Sequence, residues 1–219
     1  MTLPEAVLFD MDGTLTDSEQ LWFQSEVEVF TKLGRPWTDG DQTEIIGMSM
    51  PASTDLLVAK HNLDVTSEEL GEMLVSAVVR LGKEQGMPWR EGAVQALEMV
   101  RDLGIPTAIV TSSTRNFTDL TLAQAPEGTL SVVITGDMGL PGKPDPAPYR
   151  AAAEAFGVDI AKCVAFEDSI PGVQSAMASG AATVLIPFQV DVPRYAGLNI
   201  LDSLENLTRG YLEELMDGR

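Results

Sequence analysis

The sequence predicts an α/β fold: a doubly wound parallel-sheet core with an inserted all-helical domain. Three observations carry it. From residue 88 onward, short apolar runs alternate with helical patterns, which is how a parallel sheet covered by helices is written. The stretch 17–87 contains several helical patterns and no strand-like run. The apolar runs outside it end in Asp, Thr, Gly or Glu, and in a parallel sheet such ends share one edge. The expected boundaries are 1–16 and 88–219 for the core and 17–87 for the insert.

Ala6-Val7-Leu8-Phe9 has the length of a buried strand. After Asp17, Ser18 can cap a helix with Glu19 in its first turn. Leu21, Trp22, Val27, Val29, Phe30 and Leu33 then recur at helical spacing up to Gly34. Residues 53–63 and 67–81 read as two further helices, with Thr66 capping ahead of Glu68 and Glu69. Residues 45–51 read as the loop before them. Pro88-Trp89-Arg90-Glu91-Gly92 leads back to the core. There, strands are expected at 107–110, 132–134, 164–166 and 183–186. Helices are expected at 93–103, from 142–146 through 156, at 170–179 and at 204–216. Gly104 and Gly180 are the natural stops for two of them.

Composition narrows the function. With 219 residues and 44% apolar content, a full core can form. No apolar run approaches a membrane span, and no basic, apolar leader precedes Ala6, so the expectation is a soluble cytoplasmic protein. The lone Cys163 cannot form an internal disulfide and reads as strand packing. The lone His61 rules out His/Cys zinc clusters and suits a helix C-terminus. The net charge of −19 argues against nucleic acid and anionic membranes as partners. It also demands concentrated local positive charge wherever a phosphorylated ligand is to bind.

Asp10 and Asp12 follow the first run at i and i+2, on one side of an extended backbone. Paired carboxylates repel unless a cation or a shared proton intervenes. One reading is a nucleophilic Asp10, an acid/base Asp12 and a bound Mg²⁺. The other is a polar surface turn, since Asp and Gly are turn formers. Elsewhere on the same edge stand Thr111 and Ser112, Gly136 and Asp137, and Glu167 and Asp168, with Lys143 opening the next helix. A threonine hydroxyl can donate to a phosphoryl oxygen, and carboxylates suit Mg²⁺.

Asp-Met-Asp-Gly-Thr-Leu-Thr-Asp-Ser-Glu, the strand ending at Thr111, Gly-Lys-Pro-Asp-Pro and Phe-Glu-Asp-Ser-Ile-Pro-Gly-Val together resemble the four motifs of the haloacid-dehalogenase-like hydrolases. Within that superfamily the chain looks like the group of β-phosphoglucomutase and the sugar-phosphate phosphatases, whose cap domain matches the helical insert in position. The resemblance implies that Asp10 attacks phosphorus and forms an aspartyl phosphate. It implies that Asp12 protonates the leaving alcohol and then activates water, while Thr111 and Lys143 hold the phosphoryl group. Mg²⁺ would be bound by Asp10, the Asp12 carbonyl and Asp168, with Glu167 holding its water ligands. Substrate contacts are expected at Trp22, Gly47, Met48, Ser112, Arg115 and Asn116.

The expected activity is a Mg²⁺-dependent phosphatase of small phosphorylated metabolites, sugar or polyol phosphates, acting as a monomer or weak dimer. The alternative is a sugar phosphomutase, and a remote one is a non-catalytic binding protein on the same fold. A mutase must grip a second phosphate. Gly47-Met48-Ser49-Met50-Pro51 has no arginine, and Trp22 stands where the resembling mutases carry a histidine. Arg80 and Arg90 are the cations that could reach in instead.

Overall fold

The computed structural model describes residues 2–45 and 48–217. Contacts divide the chain into two compact units, one built from the residues up to Asp17 with those from Pro88 onward, the other Ser18–Met87.

The first unit is a parallel sheet. Its strands are β1 (Ala6–Phe9), β2 (Thr107–Val110), β3 (Val132–Ile134), β4 (Cys163–Glu167), β5 (Ala182–Leu185) and β6 (Asn199–Ile200), in the order β3-β2-β1-β4-β5-β6. β1 is therefore central, and the strand order reverses beside it, which puts the crevice at its carboxyl end. Residues 6–9 are all fully buried. Ala6 and Leu8 pack with Tyr149, Ala152, Ala153 and Ala176 of the covering helices. The alternate residue Phe9 lies on the other face, stacked on Phe166 with centroids 4.9 Å apart. Burial on both faces explains why these strands are apolar throughout rather than alternating.

The helices of this unit are α5 (Ala93–Asp102), α6 (Arg115–Leu122), α7 (Ala147–Phe156), α8 (Ile170–Ser179) and α9 (Arg209–Met216). α8 starts on Ser169, whose hydroxyl accepts from Gly172 N, and stops at Gly180 with φ +103°. The single C-terminal helix expected over 204–216 is interrupted. A 3-10 turn spans Leu204–Asn206, Thr208 is extended at φ −130°, and its hydroxyl accepts from Tyr211 N to begin α9 afresh. An internal capping threonine ends one helix and starts the next. β6 was not expected, because two residues carry no periodicity.

The second unit holds α1 (Glu19–Lys32), α2 (Asp39–Ile45), α3 (Met50–His61) and α4 (Ser67–Gln85). Val29, Phe30, Leu57, Leu70, Leu74 and Ala77 form its core. α4 opens with a complete capping box between Thr66 and Glu69. α3 begins at Met50 rather than at 53, because Pro51 in the first turn is a helix starter. Buried Asp41 accepts from Thr38 N at 2.9 Å, Thr38 Oγ1 at 2.6 Å, Lys60 Nζ at 2.9 Å, and lies 2.7 Å from His61 Nε2. Burial pushes its pKa up, but these hydrogen bonds outweigh it and hold the carboxyl well below its usual range. His61 also meets the Phe30 ring edge-on at 5.0 Å. Its place at a helix end is as expected, with a specific carboxylate added. Among the described residues no helix is long and apolar enough to cross a membrane.

Candidate active site

Asp10 continues β1 by one residue, its N–H donating to Phe166 O at 3.0 Å. The side chain is buried. Oδ1 accepts from Lys143 Nζ at 2.6 Å, while Oδ2 is buried with no hydrogen-bond partner among the described residues. Such an orphaned oxygen is rare and calls for an explanation. The chain then turns at Gly13, where φ is +87° and an added Cβ would lie 2.1 Å from Asp168 Oδ2. Glycine is required there on both counts. Thr14 Oγ1 reaches Asp168 Oδ1 at 3.4 Å.

β4 delivers Glu167 and Asp168. Asp10, Glu167 and Asp168 each place a carboxylate oxygen within 4.8 Å of the others, all three buried. Glu167 Oε1 accepts from Lys143 Nζ and from the Tyr149 hydroxyl, both at 2.6 Å. Its Oε2 accepts from Asp168 N and Ser169 Oγ, both at 3.3 Å. Backbone packs tightly here, since a Cβ at Gly172 would lie 1.9 Å from Oε2. Lys143, only 5% exposed, donates its third hydrogen bond to Val110 O at 2.8 Å.

β2 delivers Thr111 and Ser113. Ser113 Oγ donates to Asp12 Oδ2 at 2.6 Å, and Thr111 Oγ1 does so at 3.3 Å while accepting from Ser113 N at 3.0 Å. The two aspartates are thus separated in environment. Asp10 faces an ammonium and acids, and Asp12 faces hydroxyls.

The electrostatics follow from this crowding. Burial raises the Asp10 pKa to about 7, with Lys143 opposing and Glu167 and Asp12 reinforcing. Burial, then Asp10 and Glu167, push Asp168 well above the usual carboxylate range. Burial pulls the Lys143 pKa down, but Asp10 and Glu167 outweigh it and hold the ammonium above its ordinary value. Three clustered carboxylates against one ammonium leave room for a divalent cation with oxygen ligands.

The expected substrate-contact residues are less concentrated. Ser112 is exposed beside Gly136, where a Cβ would lie 2.1 Å from Ser112 O. Arg115 Nε pairs with Asp119 Oδ1 at 2.6 Å, and Arg115 N donates to both Asp137 oxygens at 3.2 Å. Asn116 is exposed on the first turn of α6. Trp22 is half-buried against the core of the helical unit, and Met48 is exposed there. Gly47 lies outside the described residues. Arg80 is ion-paired with Glu28 and with Glu84 at 2.8 Å. Arg90 belongs to the sheet unit. It donates to Gly13 O and, at 3.1 Å, to Pro187 O, with its guanidinium 4.4 Å from the Phe188 ring centroid.

Sequence reasoning missed Ser113, Tyr149 and Thr14. Ser113 reads as loop solvation and Tyr149 as core packing; only their long-range partners distinguish them. For Ser113 there was a signal, since three hydroxyls follow Thr111 directly.

A central strand ending in a buried carboxylate, two further clustered acids and a lysine bridging two of the three make a site whose donor set suits a cation with oxygen ligands. The chain belongs to the haloacid dehalogenase-like hydrolases, whose family model matches residues 4–180. The phosphorylated carbohydrates phosphatase of Thermotoga maritima is 33% identical over 181 residues, covering 80% of this chain and 82% of that protein. Hexitol phosphatase B of Escherichia coli O157:H7 is 29% identical over 210 residues, covering 93% and 94%. The fold matches the crystal structure of CbbY from Rhodobacter sphaeroides in complex with phosphate, with a TM-score of 0.85 at 24% identity over 96% of this chain and 100% of that one.

Proposed function

We propose that this protein is a Mg²⁺-dependent phosphatase of sugar or polyol monophosphates that works through an aspartyl phosphate on Asp10. The observation that carries the reading is the Asp10 carboxylate, with Oδ1 held by Lys143 and Oδ2 unpartnered. The names of the relatives support the substrate class and favour hydrolysis over phosphoryl transfer between sugar hydroxyls.

The residues present fit a hard cation. The orphaned Asp10 oxygen and the raised Asp10 and Asp168 pKa values both mark negative charge that one lysine does not neutralise. Asp10, Asp168 and the Asp12 carbonyl would hold Mg²⁺, with Glu167 behind them. Bound there, it supplies charge neutralisation for the anionic phosphoryl group.

The chain's own groups divide the chemistry. An Asp10 carboxylate oxygen attacks phosphorus as the bond to the ester oxygen breaks. Asp12, oriented by Ser113 and Thr111, gives its proton to the departing alkoxide. It then takes a proton from the water that attacks the phosphorus of the aspartyl phosphate, regenerating Asp10 and releasing phosphate. Lys143 and the Thr111 hydroxyl stabilise the phosphoryl oxygens. Residues 17–87 serve as the cap that selects the substrate and limits water, acting within a monomer or weak dimer.

The test is phosphate release from a panel of hexose and hexitol monophosphates with Mg²⁺, alongside Asp10→Asn and a chelated control. Release is expected only in the complete wild-type reaction, with an acid-stable, hydroxylamine-sensitive phosphoenzyme. Wild-type rates from Asp10→Asn, or full activity after verified metal removal, would refute the reading.

A further inference from the structure

The geometry points to Tyr149 as a positioning residue that decides how Lys143 is shared between Asp10 and Glu167; the inference rests on the phosphatase reading above. Lys143 Nζ spends its three N–H groups on Asp10 Oδ1 at 2.6 Å, Val110 O at 2.8 Å and Glu167 Oε1 at 2.6 Å. The N–H directed at Asp10 is the one needed at the phosphoryl oxygens when Asp10 is phosphorylated. Glu167 competes for the same ammonium. Its pull depends on what else satisfies Oε1.

Tyr149 supplies that second donor. Its hydroxyl donates to Oε1 at 2.6 Å, and both residues are fully buried, so water cannot take its place. The ring centroid stands 5.4 Å from Lys143 Nζ, within cation–π range of the ammonium. The ring is also anchored in the sheet core with Ala6, Leu8 and Ala108. The hydroxyl therefore has a fixed reach and a single role. Without it, Lys143 becomes the only donor at Oε1 among the described residues and is drawn toward Glu167 and away from Asp10. The acid cluster also loses one neutral donor, and its net field on a cation grows stronger.

Tyr149→Phe keeps the ring and removes only the donor. Two measurements read the result: steady-state phosphate release, and Mg²⁺ binding to the purified protein by calorimetry without substrate. We expect kcat to fall about tenfold with KM within about twofold, because the lost contact acts on the transferring group. Mg²⁺ binding is expected to tighten several-fold. A ring that merely fills space leaves both unchanged, and a loosened core weakens Mg²⁺ binding while lowering kcat; either result overturns the proposal. Wild-type protein that neither releases phosphate nor binds Mg²⁺ instead removes the phosphatase reading, and this inference with it. An active wild type with an unaltered variant removes the inference alone.

Discussion

Ser113 Oγ lies 2.6 Å from Asp12 Oδ2, closer than the Thr111 hydroxyl at 3.3 Å. If Asp12 is the acid and base of the reaction, its carboxyl must be aimed once at the ester oxygen and once at water, and Ser113 limits its rotation. Ser113→Ala removes one hydrogen bond and leaves the Thr111 contact in place. Activity should fall about tenfold, the worth of one well-placed hydrogen bond. KM and thermal stability should change little. The check is kcat for the variant beside Thr111→Val; an unaltered kcat in Ser113→Ala would mean that the Ser113 hydroxyl does not position Asp12. Asp10 and Asp12 illustrate a more general point at this scale. Two identical side chains two residues apart meet different environments, one buried beside an ammonium and the other against hydroxyls, which is how identical groups come to differ in chemistry.

At the scale of the element, α1 carries an internal conflict. Glu26 is 5% exposed, and its Oε2 has no partner among the described residues. Burial, reinforced by Glu19, raises its pKa from 4.5 to about 8. The folded state therefore holds this proton more tightly than the unfolded chain does. Stability is unaffected well below the unfolded value of 4.5, falls as pH rises through the window, and is lowest above about 8. Glu26→Gln should stabilise the protein by about 2–4 kcal/mol near pH 9. The gain should vanish at acid pH. Thermal melts of both proteins across that range decide it: a gain independent of pH would place the effect in packing and not in charge. α4, by contrast, has its capping box, and α8 its serine cap and glycine stop, so their local and tertiary demands agree.

At the scale of the molecule, 33 acidic against 14 basic residues give a net charge of −19. The long-range field repels a phosphate ester, and Lys143 attracts it only at close range. Raising ionic strength from about 10 mM to about 150 mM shortens the Debye length from about 30 Å to about 8 Å. The repulsion should fade faster than the buried attraction, so kcat/KM for a phosphorylated substrate should rise several-fold at fixed Mg²⁺. Stopped assays across a salt series would show it, and a steady decline with salt would mean that a local cationic field dominates capture.

The sheet strands from β1 to β5 were legible in the sequence, because a buried parallel strand is a short apolar run and a helix beside it has its own period. The carboxylates and Thr111 were legible as polar residues at or just after strand ends, whereas Lys143, expected to open a helix, stands in the loop before α7, which begins only at Ala147. What lay beyond the sequence were relations between distant residues. Ser113 meets Asp12 across 101 positions, and Tyr149 meets Glu167 across 18. Neither pairing leaves a local signature, since a serine in a loop and a tyrosine in a helix are unremarkable until the fold closes. The break at Thr208 and the two residues of β6 were equally hidden, one by a cap that resembles helix interior, the other by a length too short to show a period. Local periodicity and capping are written within a few residues, whereas burial, pKa and the partners of each polar atom depend on which strands become neighbours, and only the tertiary structure decides that.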